Sequence, residues 1–303
     1  MVRSDSIAAE DAELTSPKLG RRSGGGRRGG NSARPGRPRA GRSRFALRII
    51  AVAYVLMLVL APVIVVLWRT FSEGGSAFVD ALTSDNTIAA LRLTAEVATI
   101  SVVINTVFGV GVGMLLARYR FPGKRILDVL IDLPVSVSPI VVGLALILVY
   151  GSDTGWFGGF LDSIGFQVIF ATPGIALATT FVSLPLVLRE VVPVLVEAGT
   201  DQEQAARSLG ANAWQRFWRI TLPTIRWALA YGVVLSVARS VGEFGAVKVV
   251  SGNVIGQTQT LTTEVDGLAE QFEPGYYQIS LVLIAISVIC ITVISLLKPK
   301  KDI

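Results

Sequence analysis

The sequence predicts an all-α protein: a polytopic membrane helical bundle with six transmembrane helices. Two observations carry this. Half of the 303 residues are hydrophobic (51%), and they collect in long runs without charge. A hydrocarbon core asks for roughly 20 apolar residues per helix, and the runs have that length. The polar stretches between them are short. Backbone groups inside lipid must be paired within their own segment, which favours helices.

The runs fall at about 47–68, 95–117, 128–150, 171–196, 225–250 and 277–297. The first is too long for the apolar core of a leader. Trp68-Arg69-Thr70-Phe71 follows it instead of a small-x-small cleavage site, so it reads as a retained span. In the second, Gly109 and Gly113 form a small-x-x-x-small pair suited to close helix packing. The third contains Asp132-Leu133-Pro134-Val135-Ser136-Val137-Ser138-Pro139. Two prolines five apart predict a break or kink. Ser136 and Ser138 then either offer hydroxyls to an anion in a cavity or satisfy a packing kink. In the fifth run, Arg239 and Glu243 flank Ser240 and lie four apart, on one helix face. Charges at membrane depth face a bundle interior or a watery cavity. The pair is therefore read as part of a translocation pathway or as a structural lock between helices.

Charge orients the bundle. Basic residues cluster in the N-terminal tail, in the second loop (Arg118, Arg120, Lys124, Arg125), in the fourth (Arg189, Arg207, Arg216, Arg219) and at the C-terminus (Lys298, Lys300, Lys301). The other loops are acidic apart from Arg69 and Arg92. Both termini and the fourth loop are expected in the cytoplasm. Residues 1–44 cannot build a core and are expected to be a disordered basic tail. Through residue 48 it holds twelve basic residues against four acidic ones, a surplus larger than the whole-chain +6. The tail reads as a topology anchor near anionic membrane lipids; contact with nucleic acid is the lesser alternative. Residues 45–297 form the transmembrane domain and 298–303 a short basic cytoplasmic end.

Catalytic chemistry finds little purchase. There is no His, and Cys290 has no partner in the chain. A G-x-x-x-x-G-K-[ST] phosphate loop is absent. The chain is not expected to be an enzyme, to bind a cofactor or metal, or to hold its own ATP site.

The fourth loop, 197–223, is the most informative segment. Glu203-Gln204-Ala205-Ala206-Arg207-Ser208-Leu209-Gly210 is followed, after nine residues, by Ile220-Thr221-Leu222-Pro223. Ala205, Ala206 and Leu209 make a short helix with a small, smooth face, Gly210 permits a turn, and Trp214, Phe217, Trp218 and Ile220 then recur at helical spacing with Arg216 and Arg219 between them. Trp218 fits either a protein interface or the membrane interface. Pro223 is expected to end the segment before the next span. This pattern resembles the EAA loop of membrane subunits of bacterial ABC importers, with Gln204 in place of the usual acid. Arg239-Ser240-Val241-Gly242-Glu243-Phe244-Gly245-Ala246 and the later Gly256-Gln257-Thr258-Gln259-Thr260-Leu261 narrow the resemblance to the sulfate/thiosulfate permeases of the CysW type. The related molybdate permeases share similar stretches.

The resemblance covers roughly residues 45–297. It implies the ABC importer permease (MetI-like) fold in a bacterial plasma (inner) membrane. It implies a second, CysT-type permease, two ATPase subunits carrying ATP and Mg, and an extracytoplasmic sulfate-binding protein. Residues Glu203, Gln204, Ala205, Ala206, Leu209, Gly210, Ile220, Leu222 and Pro223 would dock the ATPase. A molybdate or tungstate permease and an ATPase-independent anion transporter or channel are the alternatives.

Overall fold

Three long helices meet at a single valine, and the rest of the fold is arranged around that contact. The structure is a computed structural model and describes residues 40–72, 74–153, 155–273 and 275–297. In chain order the helices are α1 (Ala40–Ser72), α2 (Gly75–Thr83), α3 (Asp85–Arg118), α4 (Lys124–Ser136), α5 (Pro139–Tyr150), α6 (Gly158–Ser163), α7 (Thr172–Ala198), α8 (Asp201–Ser208) and α9 (Ala213–Arg216). A π-helical turn, Phe217–Thr221, leads into α10 (Leu222–Val241), followed by α11 (Gly245–Val250), α12 (Leu261–Glu270) and α13 (Gly275–Leu297). The chain divides at Ala53 into two units, and the packing described below lies in the second.

Helix ends follow local chemistry. Ser84 caps α3 by accepting from the Thr87 N–H, with Asp85 in the first turn and Arg118 in the last, so both ends suit the helix dipole. Pro139 opens α5 at a position whose N–H would be unpaired anyway. Gly199, at φ 65°, closes α7.

The core is α3 on α7 on α10. A Cβ built on Gly109 of α3 would lie 2.8 Å from Cγ1 of Val187, and one on Gly232 of α10 would lie 2.9 Å from the Val187 Cα. Both helices thus approach α7 where only a glycine leaves room, as the small-residue spacing predicts for α3. A larger side chain at either place would cost about 1–3 kcal/mol by overpacking. Gly111, on the other face, meets nothing. A polar seam threads the same contact: Asn105 Nδ2 donates to Ser183 Oγ at 2.9 Å and to the Thr180 carbonyl at 3.1 Å, and Ser183 and Ser240 hydroxyls lie 3.4 Å apart.

Among the described residues, five helices are long and apolar enough to cross a membrane uninterrupted, and six spans result only if α4 and α5 count as one. The run predicted at 128–150 is not one helix: α4 and α5 meet at 114°. Pro139 removes an N–H, and the preceding Ser138 is pushed to extended backbone (ψ 134°). The run predicted at 225–250 also divides. Its helix stops at Val241, and α11 resumes at Gly245. At the other end it begins earlier, with α9. Pro223 therefore does not end the loop; it sits in the first turn of α10, after the wider π-helical turn. Arg189 belongs to α7 and not to the loop after it. α1 starts at Ala40, inside the predicted tail. The remainder of that tail, and residues 298–303, lie outside the described residues.

Candidate functional site

Two groups of predicted residues come together at opposite ends of α10. The first is the loop between α7 and α10. α8 ends in a left-handed turn: Gly210 has φ 85°, its N–H donates to the Arg207 carbonyl at 3.0 Å, and the Ala211 N–H donates to the Ala206 carbonyl at 3.0 Å. This pair of bonds is a Schellman cap, which requires the left-handed residue. Asn212 then caps α9 in a reciprocal box with Gln215. The result is helix, turn, helix, as the spacing predicts.

Glu203 ties this loop to the bundle. Its Oε1 accepts from Arg118 Nη2 at 2.8 Å, from Arg118 Nε at 3.2 Å and from Thr221 Oγ1 at 3.2 Å, while Arg118 Nη1 reaches the Leu195 carbonyl at 2.7 Å. One carboxylate thus joins α8, the end of α3 and the π-helical turn before α10. Both partners are largely sheltered, at 10% and 20% side-chain exposure, so the pair is stronger than a surface ion pair. Gln204 turns away and donates to Thr200 Oγ1 at 2.8 Å. The acid that holds the loop in place is therefore Glu203, and the neutral Gln204 leaves that bond untouched.

The outward side of the loop is apolar and open. Leu209 is 88% exposed and Trp214 69%. Trp218 meets Trp214 and Phe217 edge-on at 5.4 and 5.5 Å between centroids, and Trp214 and Phe217 are tilted against each other at 6.3 Å. Ala206, Leu209, Gly210, Gln215, Arg219 and Ile220 line an open cleft of about 550 Å³. Ala205 is exposed and Ala206 half-buried. Leu222 packs inward against the cluster around Ile225, and Pro223 is exposed.

The second group surrounds the two helix breaks. Ser136 is the last residue of α4 and Ser138 the residue before α5; both are exposed, and Ser138 makes no side-chain cap. The break after α10 lies beside them. A Cβ on Gly245 would lie 3.1 Å from the Pro139 Cβ, and one on Gly143 would lie 2.8 Å from the Val249 Cβ. α5 and α11, each the continuation of a broken helix, therefore pack tightly side by side. Glu243 sits in the α10–α11 break, nearly buried (2%), and pairs with Arg239 at 2.8 Å. Its other oxygen accepts from the Ala246 N–H at 3.0 Å, and its carbonyl accepts from Thr262 Oγ1 at 2.7 Å. Arg239 remains 40% exposed. The predicted pair exists, but the glutamate lies beyond the helix end and braces the break. Ser240 points the other way, buried against Ser183. Asn105 and Ser183 went unread in the sequence; a lone Asn in the charge-free stretch of α3 was the available signal.

A family model described as the binding-protein-dependent transport system inner membrane component matches residues 109–302. The chain belongs to this family. The permease is 48% identical to the sulfate transport system permease protein CysW of Synechococcus elongatus over 84% of its length and 89% of that protein. It is 41% identical to CysW of Escherichia coli strain K12, over 81% and 84% of the two chains. It is 34% identical to CysT of the same strain, over 82% and 89%. In fold it matches a chain from the crystal structure of a bacterial alginate ABC transporter in complex with its alginate-bound periplasmic protein. The TM-score is 0.70 at 16% identity, covering 87% of this chain and 95% of that one. The permease is thus an all-α, multi-pass membrane transport component with the ABC importer permease fold.

Proposed function

We propose that this permease is the membrane-spanning subunit of an ATP-driven importer that carries sulfate or thiosulfate into the cell. The observation that carries the substrate is the 48% identity to a CysW protein along 84% of the chain. The loop 197–223 docks a separate ATPase, which holds ATP and Mg. Leu209, Ala205 and the cleft beside Gly210 form the contact, and Ile220 lies at its edge. Glu203 transmits its movement, because one carboxylate links α8 to both α3 and the start of α10. α10 then ends at the Arg239–Glu243 pair, so displacement of the loop reaches the break through one continuous helix.

At that break, Arg239 offers a half-exposed guanidinium, and the α4–α5 break that carries Ser136 and Ser138 packs against the same break through Pro139 and Gly245. Such donors suit a small divalent oxyanion. A second permease of the CysT type would complete the route, and an extracytoplasmic binding protein would deliver the anion. The excess of Lys and Arg at both ends and in the 197–223 loop supports cytoplasmic termini in the plasma membrane.

The test is anion-stimulated ATPase activity and labelled-anion uptake by the complete reconstituted complex. Sulfate and thiosulfate should stimulate both, and molybdate should not. Stimulation by molybdate alone would replace the substrate assignment; uptake without ATP would replace the whole reading.

A further inference from the structure

One charged feature that the proposed function leaves unused is the ion pair between Asp132 of α4 and Arg189 of α7. Asp132 Oδ1 accepts from Arg189 Nε at 3.0 Å and lies 2.8 Å from Nη2. Both side chains are about half exposed, at 54% and 48%. Resting on the function proposed above, we propose that Arg189 is an inner binding residue of the anion route, and that Asp132 is the counter-ion the anion displaces.

Depth is the first reason. α3 carries no charge from 97 to 117, about the length that fills a hydrocarbon core. Gly109 faces Val187 and Gly113 faces Val191, so residue 189 is level with residue 111. That is seven residues from Arg118, roughly 10 Å inside the inner edge at 1.5 Å per residue. A half-exposed ion pair at that depth faces water or protein and not lipid.

Its position in the fold is the second. Ala178 and Val182 lie eleven and seven residues before Arg189, on the same face of α7. Both are buried in the cluster formed with Val142 of α5 and Ala246, Val247 and Val250 of α11. Arg189 is where that cover stops, on the side of it toward the α7–α10 loop. Leu188, its neighbour, packs on Ile131 of α4, which sets Asp132 beside the guanidinium. On α4, Arg125, Asp128, Asp132 and Ser136 follow at offsets of three, four and four, all exposed. They form one polar stripe that ends at the α4–α5 break. The stripe joins Arg189 to the site at the breaks.

Chemistry is the third. Both guanidinium contacts go to a single carboxylate oxygen, and Nη1 is not used by Asp132. An oxyanion with several acceptor oxygens can take the fork that Asp132 occupies, and the two ligands exclude each other.

The experiment uses the complete complex in proteoliposomes, with labelled sulfate uptake and its inhibition by sulfate on the cytoplasmic side. Asp132→Asn removes the competitor, so cytoplasmic sulfate should inhibit at about tenfold lower concentration. Arg189→Gln should abolish that inhibition and slow uptake at least tenfold. The exchange Asp132→Arg with Arg189→Asp should still co-purify the ATPase but should not restore uptake, because the cation has moved. Full uptake by the exchange variant, with unchanged inhibition in Asp132→Asn, would make the pair a structural clasp and overturn the proposal. A wild-type complex that takes up no sulfate would instead overturn the function on which it rests.

Discussion

At the scale of single residues, two positions in the α7–α10 loop carry separable tasks. Gly210 holds φ 85° with open space around the position of a Cβ. A side chain there would meet no neighbour but would strain the backbone by about 1–2 kcal/mol. Gly210→Val should therefore misplace the turn without disturbing the bundle. The variant should insert normally yet lose most of its ATPase in co-purification and most ATP-driven uptake. Normal transport in membranes matched for protein level would remove the turn from the coupling contact. The residue scale is also where the sequence reads best. Gly210, Glu203 and the aromatic spacing were all visible because turns and short helices are local. The partner of Glu203 was not visible: Arg118 lies 85 positions away, and only packing brings it there.

At the scale of elements, α12 shows how a helix outside the spans is secured. Leu261 and Val265 pack with Ile279 of α13 and Ala90 of α3. The Leu261 N–H donates to Thr94 Oγ1 at 3.0 Å, and Thr87 Oγ1 donates to Glu264 Oε1 at 2.8 Å. Oε2 of this buried glutamate has no partner. Burial raises its pKa above the usual carboxylate range, and the Thr87 hydrogen bond only partly opposes this. A carboxyl raised in the folded state favours the protonated form. Its stabilising contribution is complete below the ordinary glutamate pKa and is lost as pH rises through the raised value. Hydrogen exchange corrected for intrinsic rates should show α12 amides less protected as pH rises. Glu264→Gln should hold protection level across that range, and equal slopes in both proteins would exclude Glu264 as the cause. The element scale also holds the main differences from the sequence pattern. Hydropathy alone cannot distinguish one span from two short helices packed end to end with others. Pro134 and Pro139 signal the first break; Gly242–Phe244 holds no proline, only a glycine and the charged Glu243 inside an otherwise apolar run.

For the whole molecule, the question is which side of the membrane each end occupies. The bias of Lys and Arg toward the tail, the α3–α4 turn, the α7–α10 loop and the C-terminus is a property of composition. A fluorescent protein fused after the C-terminus should fold and glow, and a phosphatase that needs an oxidising exterior should be inactive at the same junction. The opposite result would invert the bundle and place the α8–α9 loop away from ATP.

What the sequence determined by itself were the local and compositional properties: apolar length, helix caps, the loop pattern and the charge bias. They depend on residues within a few turns of one another, or on no geometry at all. What only the tertiary structure decided was which charges meet. Arg239 found Glu243 within one segment, as spacing predicts, but Asp132 and Arg189 stand 57 positions apart, as do Ser183 and Ser240. The second meeting depends on Gly232 letting α10 close on Val187, and the first on Ile131 of α4 packing against Leu188 of α7. Helix registry is set by such contacts between distant segments, and no periodicity within one segment encodes it.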